Sequence, residues 1–436
     1  VASLKWLVAR APTPTLPRKR ERGQQNQLPF PLSLRTSPLG ADLNSRQAGP
    51  EGGGQDAARS LRVRVRVVLL ATCYLLLATA VIACAPPPTD DSLDVSIAMG
   101  GDDTDGYLRA DRPREFRFPE DHGPHPGFRN EWWYITGNLD GDAGRRFGFQ
   151  ITFFRVALTP QAPESPSAWA TDHVWMGHFA LTDMGSGQHH AFERFARGAA
   201  GLAGAQLDPF RVWLEDWQLL AVDGDDFPWR LSLEEQGIGI ELEFMNLKPP
   251  VLQGDGGLSQ KGAGEGNASY YYSMTRLDTQ GQVHLHGETL EVSGQSWLDR
   301  EWSTSALAED QAGWDWFSLQ LDEDRELMYY HMRRQDGSAD PYNKGLWVDN
   351  DGSSRLLRRE DVELEVLDHW SSPETGVRYP VAWRLHLLPE GRELEVRAVQ
   401  EAQEMRLTVR YWEGAVDVYE DGQYMGRGYA ELTGYQ

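Results

Sequence analysis

Two cysteines in 436 residues, Cys73 and Cys84, leave no material for a disulfide framework in the rest of the chain. Positive charge is scarce as well. The 42 Lys and Arg stand against 65 Asp and Glu, a net of −23, and a chain so acidic offers little to a nucleic-acid backbone. No long stretch repeats its apolar residues at helical spacing, which excludes a mainly α-helical body. No G-x-S-x-G string occurs either. Its nearest approach, Gly257-Leu258-Ser259-Gln260-Lys261-Gly262, lacks the strand-to-helix setting of a serine nucleophile. What the chain has in quantity is aromatic side chains, including 16 Trp, and such a composition excludes disorder for most of the length.

Charge and cysteine together mark a leader. The first 83 residues carry 12 basic and 4 acidic residues, and within them Val67–Ala83 is free of charge, preceded by Arg62, Arg64 and Arg66 and followed by Cys84, Ala85 and Pro86–Pro88. A basic flank, an apolar run and a small residue before a break are the three parts of an export signal. The end, Val81-Ile82-Ala83-Cys84, resembles a bacterial lipoprotein cleavage site, so residues 61–83 are expected to be removed and Cys84 to carry a diacylglycerol. A short transmembrane helix is the alternative; it does not explain why the run stops at Cys and Pro. Residues 1–60 follow neither period and are expected to be a disordered or misassigned extension, with the true start near Leu61 or Val63. Residues 84–110 form an acylated cysteine and a flexible tether rich in Asp, Gly, Ser and Thr. Ala85 favours the outer membrane, facing the periplasm.

Beyond the tether, apolar residues alternate with period two in short segments: Trp132–Leu139, Phe147–Val156, Trp175–Leu181, Trp229–Leu233, Ile238–Phe244, Val283–Val292, Val362–Leu367, Val381–Leu387 and Leu394–Val399. Turn signals such as Asp336-Gly337-Ser338 and Asp421-Gly422 separate them. This predicts an all-β body of hairpins and meanders, with about nine strands before residue 297 and about nine after it. Two consecutive antiparallel barrels or sandwiches, 111–297 and 298–436, suit that count better than one large sheet. The glycine-rich stretch Gln253–Gly266 is expected to be a linker or a loop over a barrel mouth.

Three chemistries can be drawn from the residues. Asp299 and Glu301 flank Arg300 before Trp302, and on a strand their spacing aims both at one face; a carboxyl kept protonated there could protonate an alkene while a second activates water. Ion pairs with Arg300 or Arg155 at the barrel junction are the structural alternative. Metal binding would fall to His284 and His286, the histidines with strand spacing, but no third ligand completes a tetrahedral set and no metal is expected. Serine hydrolysis has no motif.

Six motifs in order carry a resemblance: Phe118–Leu139 (FPEDHGPHPGFRNEWWYITGNL), Phe149–Arg155 (FQITFFR), Gly177–Asp183 (GHFALTD), Ala205–Trp217 (AQLDPFRVWLEDW), Trp297–Ser303 (WLDREWS), and Tyr411–Val416 (YWEGAV) with Gly428–Tyr435 (GYAELTGY). From about residue 117 onward the chain resembles the AttH-like, carotenoid 1,2-hydratase-like lipocalin family of predicted secreted hydrolases. The resemblance implies two lipocalin-like β-barrels. It leaves the activity open, since relatives include proposed hydratases, pericyclase-type cyclases and proteins of unknown activity beside transporter genes. The expected function is an envelope lipoprotein that binds a hydrophobic small molecule or lipid in a barrel, with an accessory role beside an ABC transporter permease compatible with it. A hydratase-type lyase on an isoprenoid or similar apolar substrate is the alternative, and neither requires a cofactor. The expected site joins Asp299 as acid, Glu301 as its partner, Glu131, and His178 as a further polar group. Trp132, Trp133, Tyr134, Gln150 and Trp302 are expected to line it, all converging if the end of the first barrel returns to its beginning.

Overall fold

The computed structural model describes residues 93–94 and 104–435, apart from 225–226, 305–306, 309 and 323. The apolar run, Cys84 and most of the tether lie outside the described residues. Alternation sets the local structure. In Trp229–Glu235, residues 229, 231 and 233 are buried and those between are half-exposed, as in a strand with one face on a core. Arg146–Ala157 and His173–Asp183, by contrast, are buried on both faces almost throughout. One face of each meets the interior of the first sheet, and the other is covered by a second sheet.

Among the described residues the chain is all-β, with two barrel-like sheets of 13 and 11 strands. The pairings are antiparallel, save for the two-residue strand Leu93–Asp94 beside Val409 and Arg410. The first sheet runs in the order Gln188–Arg197, His173–Asp183, Arg146–Ala157, Asn130–Gly141, Glu288–Ser303, Ala268–Leu285, Ile238–Asn246, Trp229–Glu235 and then three short strands back to Ala203. One edge reaches across to the strands near the other through side chains. Arg194 of one edge strand reaches Glu235 at 2.9 Å and stands 4.5 Å over the Trp217 ring. The second sheet is built around Gln311–Leu321, Gln423–Leu432 and Val409–Glu420. Each sheet encloses its own apolar core, and two further clusters, one holding Phe154, Met176 and Tyr411 and another Tyr134, Trp297, Trp316 and Tyr429, line the seam between the sheets.

Several expectations change here. The counts exceed nine and nine because short strands such as Arg211–Leu214, Leu258–Gln260 and Glu404–Arg406 carry too few residues to show a period. The boundary expected between residues 297 and 298 falls inside the strand Glu288–Ser303. Val283–Val292 is not one strand but a hairpin turning at His286 (φ 49°) and Gly287 (φ 90°), the two positive-φ positions of a tight hairpin turn. His286 therefore leaves the ladder, and the strand alignment with His284 is lost. The glycine-rich stretch is not a free linker: Leu258–Gln260 within it, like Val251–Leu252 just before it, pairs back onto the aromatic strand Ala268–Leu285.

Candidate functional site

Glu288–Ser303 pairs with Asn130–Gly141, so the end of the first sheet does return to its beginning, with Asp299 opposite Tyr134 and Trp302 opposite Glu131. The pleat then divides the expected constellation. Successive side chains on a strand point to opposite faces, so Glu131, Trp133, Arg300 and Trp302 turn into the first barrel, whereas Trp132, Tyr134, Trp297, Asp299 and Glu301 turn toward the second sheet. Glu131 and Asp299 do not share a site.

The interior group is an ion-pair plug. Glu131 is fully buried and bonded to both Arg155 and Arg300. Burial pushes its carboxyl up, but the two guanidinium groups outweigh that and hold it well below the usual range. Arg155 and Arg300 also donate to the carbonyls of Phe128 (2.7 Å) and Gly123 (2.7 Å), and the Trp133 indole donates to that of His122 (2.9 Å). Arg300 lies 3.7 Å over Trp133, and His125 stacks 3.7 Å from Trp302. The dense motif Phe118–Leu139 thus folds its polar loop onto the barrel end. A carboxylate held ionised in this way cannot serve as a proton donor, so Glu131 leaves the list of catalytic candidates, and Trp133 and Trp302 belong to the core.

The opposite face carries carboxylates of another kind. Asp299 is buried and accepts hydrogen bonds from Ser273 (2.5 Å), the Trp297 indole (2.6 Å) and the Tyr271 hydroxyl, which in turn accepts one from Trp316 (3.2 Å). Among the described residues no cation pairs with it; burial drives its pKa up to about 7 against the pull of these three donors, with the neighbouring Glu301 adding to the rise. Glu301 does not share a proton with Asp299 as expected: Lys261 holds it at 3.1 Å. Trp316 links the group to Tyr134, whose ring meets it edge-on at 5.2 Å.

Tyr134 donates to Glu413 of the second sheet, and Glu413 likewise has no cation partner among the described residues. Burial, with the Glu431 charge directly across the ladder, pushes its carboxyl well above the usual range, so it holds its proton more tightly than an exposed carboxyl does. His178 faces the same seam. Its Nδ1 is 2.9 Å from the Tyr411 hydroxyl, and burial lowers its pKa to about 3, which keeps it uncharged and weakens it as a base. The buried polar atoms along this seam that have no hydrogen-bond partner among the described residues include Gln150 Oε1, His178 Nε2, Glu413 Oε2 and the Tyr429 hydroxyl. Buried polar groups are ordinarily satisfied, and such atoms beside two carboxylates without cation partners make the seam the candidate site. Among the described residues no group of three His, Cys, Asp or Glu is placed to hold a metal ion.

Of the expected residues, Asp299, Glu301, His178, Trp132, Tyr134 and Gln150 therefore face the seam. Glu413, Tyr271, Tyr411 and Tyr429 join them without having been singled out as site residues. The signal for Glu413 was present, because in Tyr411-Trp412-Glu413-Gly414-Ala415-Val416 one acid stands inside an otherwise apolar strand.

The sequence matches the AttH-like family over residues 109–435. The fold is similar to a crystal structure from Nitrosomonas europaea provisionally named AttH, with a TM-score of 0.68 and 36 % identity, covering 76 % of this chain and 100 % of that one. It is also similar to kievitone hydratase from Nectria haematococca, with a TM-score of 0.56 and 13 % identity, covering 75 % of this chain and 95 % of that one, a likeness of fold alone. No curated protein matches the chain. A family match across three-quarters of the sequence, joined by a full-length structural relative, settles the classification: the chain belongs to the AttH-like family.

Proposed function

We propose that the chain binds a small, mainly apolar molecule in the seam between its two sheets and performs acid–base chemistry on it of the hydratase type. The observation that carries this reading is the pair of buried carboxylates without cation partners, Asp299 and Glu413, among aromatic side chains and unsatisfied polar atoms. Burying such groups costs stability, and carboxyls kept in this state cluster at functional sites. The interior of the first barrel is a poorer candidate, since Trp133, Trp175, Trp217 and Phe179 pack it as core.

In this scheme Glu413, whose carboxyl burial and the Glu431 charge push well above the usual range, donates its proton to one carbon of an alkene. The cation left on the neighbouring carbon is stabilised by the faces of Trp316 and the seam tyrosines. Asp299, poised near neutrality, takes a proton from water as its oxygen bonds to that carbon. Glu413→Gln keeps the shape and removes the proton. It is expected to leave the melting temperature near wild type and to slow conversion of whatever molecule co-purifies by about a hundredfold or more, as followed by mass spectrometry in isotope-labelled water. A wild-type preparation that carries no small molecule, or a variant that turns over at the wild-type rate, would count against the reading.

Export and anchoring complete the proposal. The pattern ending at Cys84 supports a lipoprotein held at the outer membrane, where two or more acyl chains give stable attachment, and a transporter permease is a compatible partner. Fatty-acid labelling should disappear in Cys84→Ser, and an unlabelled, freely soluble wild-type protein would reject the anchor.

A further inference from the structure

One end of the seam departs from the acidity of the rest. Leu258–Gln260 pairs with the aromatic strand, and the next residue, Lys261, places its ammonium 4.4 Å from the centre of the Tyr330 ring and 5.3 Å from that of Tyr271. Lys344 sits directly opposite Tyr330 in the ladder between Arg325–Arg334 and Lys344–Val348. Cross-strand partners share a face, and Tyr330 belongs to the cluster between the sheets, so Lys344 is turned toward the same end of the seam. It is half-buried, and among the described residues no carboxylate pairs with it. The other charges that bear on it are Lys261, Asp255 and Arg358. Lys261 already faces Glu301, and Asp255 lies 4.0 Å from Arg358. One cation is therefore left over, in a chain whose net charge is −23.

Resting on the seam as the binding site, we infer that Lys344 and Lys261 hold an oxyanion head group, so that the ligand is an apolar molecule ending in a carboxylate or phosphate. The charge pattern also fixes its direction. An anionic head is attracted to the unpaired Lys344, so the apolar body extends from Tyr330 past Tyr271 and Trp316 toward Asp299 and Glu413. Burial and the nearby Lys261 charge push Lys344 down to about 8, and an anion beside it offsets both costs.

The test compares three probes of equal chain length, dodecanoate, dodecyl phosphate and dodecanol, titrated calorimetrically into the full chain below micelle-forming concentrations. A charge-assisted hydrogen bond to a partly buried ammonium favours the acidic probes over the alcohol by roughly tenfold or more. Lys344→Met, which removes an unpaired charge from a half-buried position and should fold, is expected to erase that preference; Lys344→Arg is expected to retain it. Preference for dodecanoate alone assigns a carboxylate head, and preference for dodecyl phosphate alone assigns a phosphate. Equal binding of alcohol and acids to the wild type, or a preference unchanged in Lys344→Met, overturns the head-group site and leaves the seam standing. Binding of none of the three overturns both.

Discussion

Glu131→Gln is expected to cost about 3–5 kcal/mol of folding stability, measured by chemical denaturation at neutral pH, because removing one member of a buried ion pair leaves its partners charged and uncompensated. Two partners are at stake here. Arg155 and Arg300 both bond Glu131, and both are buried. Neither can shed its proton as a lysine would. The same two guanidinium groups hold the carbonyls of Phe128 and Gly123, so the loop that closes the barrel end should loosen with them. The pH dependence has a definite sign. The folded carboxyl titrates well below its ordinary 4.5, so its contribution is full above that value and is lost as pH falls through the folded pKa. Ligand binding in the folded fraction should be unchanged, since Glu131 faces away from the seam. A variant as stable as wild type would mean that the two arginines find other acceptors.

The fold was legible because strand chemistry is local. Alternation in Trp229–Leu233 and turn pairs such as Asp421-Gly422 (φ 49° and 74°) announce themselves within a few residues. The alternation in Phe149–Phe153 was visible too, yet the burial of its second face, which carries Gln150, Thr152 and Phe154, was not: what covers it comes from more than two hundred residues downstream, in Tyr411 and Met405. The site divides along the same line. That Asp299 and Glu301 share a face follows from their spacing alone. That Glu131 does not share it depends on the register of two strands about 165 residues apart, where a shift of one position would reverse every side chain. Sequence distance conveys proximity there but not parity. The charge of each acid was equally hidden, because Glu131 and Asp299 are both buried acids beside Trp, and only the placement of Arg155 and Arg300 on the interior face separates an ionised strut from a carboxyl with a pKa of about 7.

Asp299→Asn should therefore act in the opposite direction from Glu131→Gln. The folded carboxyl titrates near 7 and the unfolded one near 3.8, so the folded state holds its proton over that interval and loses stability as pH rises through it. At pH 8 this amounts to as much as about 4 kcal/mol. Asparagine removes the titration and can keep the hydrogen-bond frame. Its oxygen accepts from Ser273 and the Trp297 indole, and its amide donates to the Tyr271 oxygen in place of the bond that hydroxyl gave to Asp299. The variant should accordingly be more stable than wild type at pH 8, with the difference shrinking as pH falls toward 4, as read from denaturation curves across that range. Turnover of the co-purifying molecule should fall by about two orders of magnitude while its affinity is kept. A residue whose removal stabilises the fold and abolishes the reaction is retained for chemistry. If Asn instead lowers stability at every pH and leaves turnover intact, Asp299 is an acceptor for the Ser273, Trp297 and Tyr271 donors and nothing more, and the acid–base reading of the seam would rest on Glu413 alone.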